Sequence, residues 1–187
     1  MPRCSRAGSA LAEAHAAGLD HRYPACMDPT QPAPAADTGP VSPLSFLVGV
    51  WRGRGRGQYP TIEPFEYEEE ITFSATGKPF LSYSQFSWDR DGKPLHTETG
   101  YWRASPAGAV EAVIAQPTGF AEVDEGSVSG LRVEVLSKVV GRTSTAKEVS
   151  SIRRILSLRD DVLEHVLDME AVGEPAQNHL TSQLRRA

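Results

Sequence analysis

Only two cysteines, Cys4 and Cys26, occur in the 187 residues. Everything after Cys26 can form neither a disulfide nor a cysteine-ligated metal site. That part must be held by its core alone, which suits a reducing cytoplasm. Positive charge is also short: Lys plus Arg is 19, Asp plus Glu is 24, and the net charge is −5. Such a balance excludes a general binder of phosphate backbones, so no nucleic-acid partner is expected. No apolar run approaches the ~18 residues of a transmembrane helix, so no membrane association is expected either. The N-terminus carries Arg3 and Arg6 without an apolar segment behind them, which speaks against a secretory signal peptide.

What is present divides in two. Residues 1–42 are rich in Ala, Pro, Asp, Gly and Ser and poor in large apolar residues. Such a segment cannot bury enough surface to offset chain entropy, so a disordered tail is expected. Ala10 to Ala17 could form a marginal helical turn. A chain begun at Met27 would lose both cysteines and nothing that reads as folded, so Met27 is a candidate natural start.

From Pro43 onward the texture changes. A short helix over 43–49 leads into a first strand. Strands are then expected at 65–73, 80–88, 95–104, 109–115, 131–137, 151–158, 162–172 and 178–185. They are rich in Val, Ile, Phe, Tyr, Trp and Thr, with Asp91-Gly92, Ala107-Gly108, Ser129-Gly130 and Arg159-Asp160-Asp161 at the turns. Many short strands without intervening helices predict an all-β fold. An antiparallel closed barrel of about ten strands removes every exposed edge and can enclose one ligand. Residues 43–187 would form it as one domain.

The first strand holds Gly49, Trp51, Gly53, Gly55 and Gly57. Glycine at every second position puts bare backbone on one face, where the strand can bend or let another surface approach. The opposite face is read as carrying Trp51 and then basic groups. No Gly-Lys-Ser/Thr follows, so this is not a phosphate loop. Gly-x-Trp at the head of a first strand also opens lipocalin and fatty-acid-binding barrels. There the Trp closes the barrel floor, often under an Arg of the last strand; Arg185 or Arg186 could stack on Trp51 in this way.

The longer pattern Gly-x-Trp-x-Gly-x-Gly-x-Gly-x-Tyr59-Pro60-Thr61, then Pro64-Phe65-x-Tyr67-x-Glu69-Glu70, resembles the nitrobindin family of haem-binding β-barrels. The resemblance continues through Gly77 to Leu81, Pro94 to Tyr101, Thr145 to Val149, and Met169 to Leu180. It is similar in particular to the bacterial single-domain members, described as peroxynitrite isomerases. It implies haem b, one per chain, with His179 as proximal iron ligand and catalytic centre. It further implies Thr61, His96, Gln116, Lys147 and Met169 around the haem. His96 would hold a water or touch a bound anion, and Lys147 would meet a propionate.

Alternation in 162–172 places His165 on the inner face with Met169, so His165 competes with His179 for the metal. In the run Glu68-Glu69-Glu70, at most Glu68 and Glu70 share a face, and a solvated outer face is expected for the run. The function implied is isomerisation of peroxynitrite to nitrate at ferric haem, with nitric oxide as a second small-molecule ligand. The alternatives are a lipocalin-like carrier of an apolar ligand and a non-catalytic nitric-oxide sensor or carrier. Packing of two barrels into a homodimer is allowed by the sequence but not required.

Overall fold

The computed structural model describes residues 39–187. Cys4, Cys26, Met27 and most of the expected tail lie outside the described residues. A nine-residue 3-10 helix, η1 (Gly39–Leu47), precedes ten strands. These are β1 (Gly49–Tyr59), β2 (Ile62–Ala75), β3 (Leu81–Trp88), β4 (Pro94–Ala104), β5 (Ala109–Gln116), β6 (Phe120–Ser129), β7 (Arg132–Arg142), β8 (Val149–Arg159), β9 (Val162–Ala171) and β10 (Glu174–Arg186). Each strand pairs antiparallel with the next, and β1 pairs with β10 to close the barrel. Closure leaves every strand with a partner on both sides, although β7 and β8 pair only over Arg132–Leu136 and Arg153–Ser157. Among the described residues no helix is long and apolar enough to cross a membrane.

The expected strands are all present. β6 has no counterpart among them, and the reason is chemical. Its inward positions are Glu122 and Asp124, both buried, whereas Val123 faces out. The apolar alternation that normally marks a strand is inverted there. The turn Asp160-Asp161 has φ of 50° and 59°, the left-handed pair that fits a two-residue hairpin.

One end of the barrel is filled. Leu44 and Leu47 of η1 plug it, packing with Trp51, Ile71, Phe73, Trp102 and Leu184. Trp51 Nε1 donates to the Leu47 carbonyl at 2.7 Å, which ties plug to wall. Arg186 lies 4.3 Å above the Trp51 ring and donates to the Phe46 carbonyl at 3.0 Å, so Arg186 rather than Arg185 is the stacking residue. Gly49 has φ of 135°, and a side chain there would collide with that guanidinium.

The reading of the glycine strand needs one correction. Trp51 does not oppose the glycines. Positions 49 to 59 of odd number share the inner face, and Arg52, Arg54 and Arg56 share the outer one. Inside, Gly55 pairs with Tyr67 and Gly57 with Phe65. A Cβ at either glycine would fall within the partner's ring. The bare strand therefore lets the far ends of two β2 aromatic rings lie directly against it, and the barrel stays open beyond them. On the outer face, Arg52 pairs with Glu70 and Arg54 with Glu68.

Candidate functional site

Past the plug, the inward side chains no longer meet across the barrel. They leave a cavity of about 610 Å³, within the size range of small-molecule and cofactor sites. Its walls include Tyr59, Phe65, Leu95, Ile152, Leu167 and Leu180, which are apolar, with polar groups at both ends. Thr61, His96, Gln116, Lys147, Met169 and His179 all line this one cavity. They come from four strands and two loops, so only barrel closure brings them together.

His179 owes its aim to a bulge. β10 pairs Asn178 with Asp168 and then Leu180 with Leu167, leaving His179 as the extra residue. Strict alternation would send 179 outward, away from Leu180. The bulge lets both residues face the cavity. His179 Nδ1 sits 2.9 Å from the Gln58 carbonyl, to which it donates. That fixes the tautomer and leaves the Nε2 lone pair free. The ring meets Tyr59 edge-on, with centroids 5.5 Å apart. Burial pushes the imidazole pKa down, against the raising effect of the Gln58 bond, and nearby His96 adds to the depression. The free nitrogen is therefore unprotonated at neutral pH. Tyr59 is itself fixed: its hydroxyl accepts from the Ala171 N–H at 2.8 Å and donates to the Ala171 carbonyl at 3.1 Å.

Lys147 lies at the exposed mouth, and Thr61 sits in the β1–β2 turn at the same rim. His96 is partly exposed at 29%, with Nε2 3.8 Å from Glu98 Oε2. Another bulge, between Ser87 and Trp88 in the β3–β4 register, turns both Leu95 and His96 toward the cavity.

Between cavity and plug lies a belt of buried polar residues, most of which sequence reasoning missed. Arg154 is its centre. Nη1 donates to Glu98 Oε1 at 2.6 Å, and Nη2 reaches Glu98 Oε2 at 3.3 Å and Glu122 Oε1 at 3.4 Å. The Tyr83 hydroxyl donates to Glu98, and Gln116 donates to Glu122. Burial alone would raise the Glu98 pKa, but Arg154, His96 and Tyr83 together hold it well below the usual range. Glu122 goes the other way, to about 7. Burial dominates, Arg154 only partly offsets it, and Glu98 and Asp124 repel a second charge.

Glu69 belongs to this belt, so the expectation of a solvated outer face fails for it. It is fully buried and shares the inner face with Tyr67 and Ile71. Gln85 Nε2 donates to it at 2.9 Å, and the Ser182 hydroxyl donates too. Glu68 and Glu70 do share the outer face. His165 is the second correction. Its Nδ1 lies 3.2 Å from Glu69 and its Nε2 lies 3.4 Å from Arg154 Nη1. One nitrogen donates and the other accepts, so neither is free to bind a metal. The missed signal was parity. Glu69 alternates in step with Tyr67 and Phe73, Glu98 with Trp102, and Arg154 with Ile152 and Leu156.

Comparison with known proteins accords with this geometry. Residues 40–186 match the model of the THAP4-like, heme-binding beta-barrel domain. A peroxynitrite isomerase of Nocardia farcinica is 45% identical over 162 residues, covering 83% of this chain and 96% of its own. Peroxynitrite isomerase 2 of Mycobacterium ulcerans is 46% identical, covering 81% and 98%. A peroxynitrite isomerase of Streptomyces griseus is 46% identical, covering 78% and 83%. The crystal structure of Rv2717c from M. tuberculosis superposes with a TM-score of 0.76 at 44% identity, covering 80% of this chain and 98% of that one. A barrel matched along almost its whole length by the family model, and by relatives at this identity, belongs to the nitrobindin family of THAP4-like haem-binding β-barrels.

Proposed function

We propose that this chain holds one haem b through His179 and isomerises peroxynitrite to nitrate. The observation that carries the reading is the free, unprotonated Nε2 of His179 facing a largely apolar cavity. The donor set fits a haem: a neutral imidazole for the iron, flat aromatic walls for the macrocycle, and the Lys147 ammonium at the mouth for a propionate. The carbonyl of Gln58 orients the imidazole and makes it a better donor. When bound, ferric haem supplies the Lewis acidity and electron exchange that peroxynitrite rearrangement needs.

The protein's own part is to hold, orient and admit. Tyr59 keeps the His179 ring from turning. His96, partly exposed and lining the cavity, is placed to meet an incoming anion through its ring N–H, with Thr61 and Gln116 as neutral polar neighbours. Met169 fills space beside the ring system. The same site would take nitric oxide. A compartment that keeps thiols reduced, such as the cytoplasm, suits a barrel stabilised without disulfides. A homodimer would use the outer face, where Tyr101, Val113 and Val123 are exposed and paired in one row across β4, β5 and β6.

Lipid carriage is the weaker reading. The buried cation that could seize a lipid carboxylate, Arg154, already holds Glu98 and Glu122. Stopped-flow mixing of the haem-loaded protein with peroxynitrite, with nitrate yield measured, tests the proposal. Faster decay and raised nitrate are expected in wild type and nearly so in His96→Ala, but not in His179→Ala. Haem binding without a gain in nitrate would leave a nitric-oxide carrier instead.

A further inference from the structure

The buried belt contains more negative charge than its one guanidinium can balance. Glu69, Glu98, Glu122 and Asp124 are all buried, and Arg154 is the only buried Lys or Arg among the described residues. Glu69 is satisfied by Ser182, Gln85 and His165. Glu98 is satisfied by Arg154 and Tyr83. That leaves the two inward carboxyls of β6. Glu122 has donors on Oε1 only, and its Oε2 has no partner. Asp124 is 1% exposed, and neither of its oxygens has a hydrogen-bond partner. Two adjacent buried anions in that condition would be very costly. A metal cation could relieve them, but no group of three or more metal-ligating side chains is found among the described residues.

We infer that Glu122 and Asp124 together form a buried proton-binding site, which releases its proton when a cationic group enters the adjoining cavity. The groups facing the pair can be named strand by strand. Glu98 comes from β4, Gln116 from β5, Arg154 from β8 and Tyr83 from β3, with Glu69 of β2 and His165 of β9 behind Arg154. β7 places Ser137 and Val140 opposite the pair. Burial favours the neutral forms, Arg154 offsets it only in part and Glu98 adds to it, so Asp124 holds its proton up to about pH 6 and Glu122 up to about pH 7. Gln116 links the pair to the cavity, because it lines the cavity and donates to Glu122. A positive charge arriving there favours the ionised carboxylate and so expels the proton. By linkage, uptake of ferric haem, whose iron–porphyrin centre carries one positive charge, would be stronger at higher pH over this window.

The inference rests on the haem reading only for its linkage half. Infrared difference spectra of the haem-free full chain, taken from about pH 5 to about pH 9, test the proton itself. A protonated-carboxyl C=O stretch is expected to vanish as pH rises through about 6 to about 7. It should be lost or shifted in Glu122→Gln and in Asp124→Asn, two separate variants in case one fails to fold. Haemin calorimetry in buffers of different ionisation enthalpy tests the linkage. Wild type should release a proton fraction that the double variant does not; any release from His179 is common to both and cancels. No such stretch in wild type overturns the site. A stretch that is absent while stability tracks sodium or potassium concentration overturns it in favour of a bound cation. A stretch present with no haem uptake leaves the proton site standing and removes the proposed function.

Discussion

The two ends of this barrel are built from the same alternation and do opposite things. At the plugged end, Trp51, Phe73, Trp102 and Leu184 point inward and meet η1, so the interior is solid. At the open end, the inward positions of β1 are glycines under the rings of Phe65 and Tyr67, and the interior stays empty. The plugged end has regular strand register around Trp51 and Trp102. The open end collects the bulges at Gly57/Tyr59, Asn178/Leu180 and Val149/Ser151, which aim side chains where pleating would not. Stability is concentrated at one end and ligand geometry at the other, so mutations should separate the two.

The largest expected effects come from the solid end and the belt. Trp102→Ala should cost about 3–5 kcal/mol of unfolding free energy. Chemical denaturation measures this. A loss below about 1 kcal/mol would mean the plugged end is not the stabilising one. Arg154→Met strips Glu98 of its counter-ion and should cost a similar ~3–5 kcal/mol, with Arg154→Met/Glu98→Gln recovering part of it. No recovery in the double variant would argue against a paired role.

A smaller effect is expected from pH. Glu122 is raised to about 7 and Asp124 to about 6 in the folded chain, both by burial first. Their neutral forms are favoured in the fold. The folded state therefore binds more protons than the unfolded one between the ordinary carboxylate range and about pH 7. Stability from this source is full in acid and declines as pH rises through that window. Glu122→Gln should flatten the decline in a series of denaturation midpoints, and an unchanged slope would contradict it. Smaller again is Tyr59→Phe at the open end. It removes a hydroxyl bonded to both backbone groups of Ala171, costing about 1–2 kcal/mol and loosening His179. Its haem spectrum should change more than its stability. Least of all, Arg54→Ala on the exposed outer ladder should leave the midpoint unmoved.

How far the sequence spoke differs between the same two ends. Gly49, Trp51 and the aromatic strands announced a closed barrel, and Arg186 over Trp51 was within the expected pair. Met169 was legible as inward from alternation along its strand, but Thr61, His96, Gln116, Lys147 and His179, far apart in the chain, were legible only through family resemblance. The belt was hidden by a habit of reading charge as outward. Glu69, Glu122, Asp124 and Arg154 are inward because their parity matches that of the core residues on each strand or the register of its neighbours. The bulge at His179 has no period-two signature at all. It appears only when β9 and β10 are paired residue by residue.

The central claim is that His179, held by Gln58 and free at Nε2, is the iron ligand in the open end. A haemin titration followed by absorbance, on wild type and His179→Ala, tests it most directly. The account predicts a saturable Soret band at one haem per chain in wild type, and a lost or strongly shifted band in the variant at unchanged denaturation midpoint. The same band at the same affinity in both proteins would contradict it.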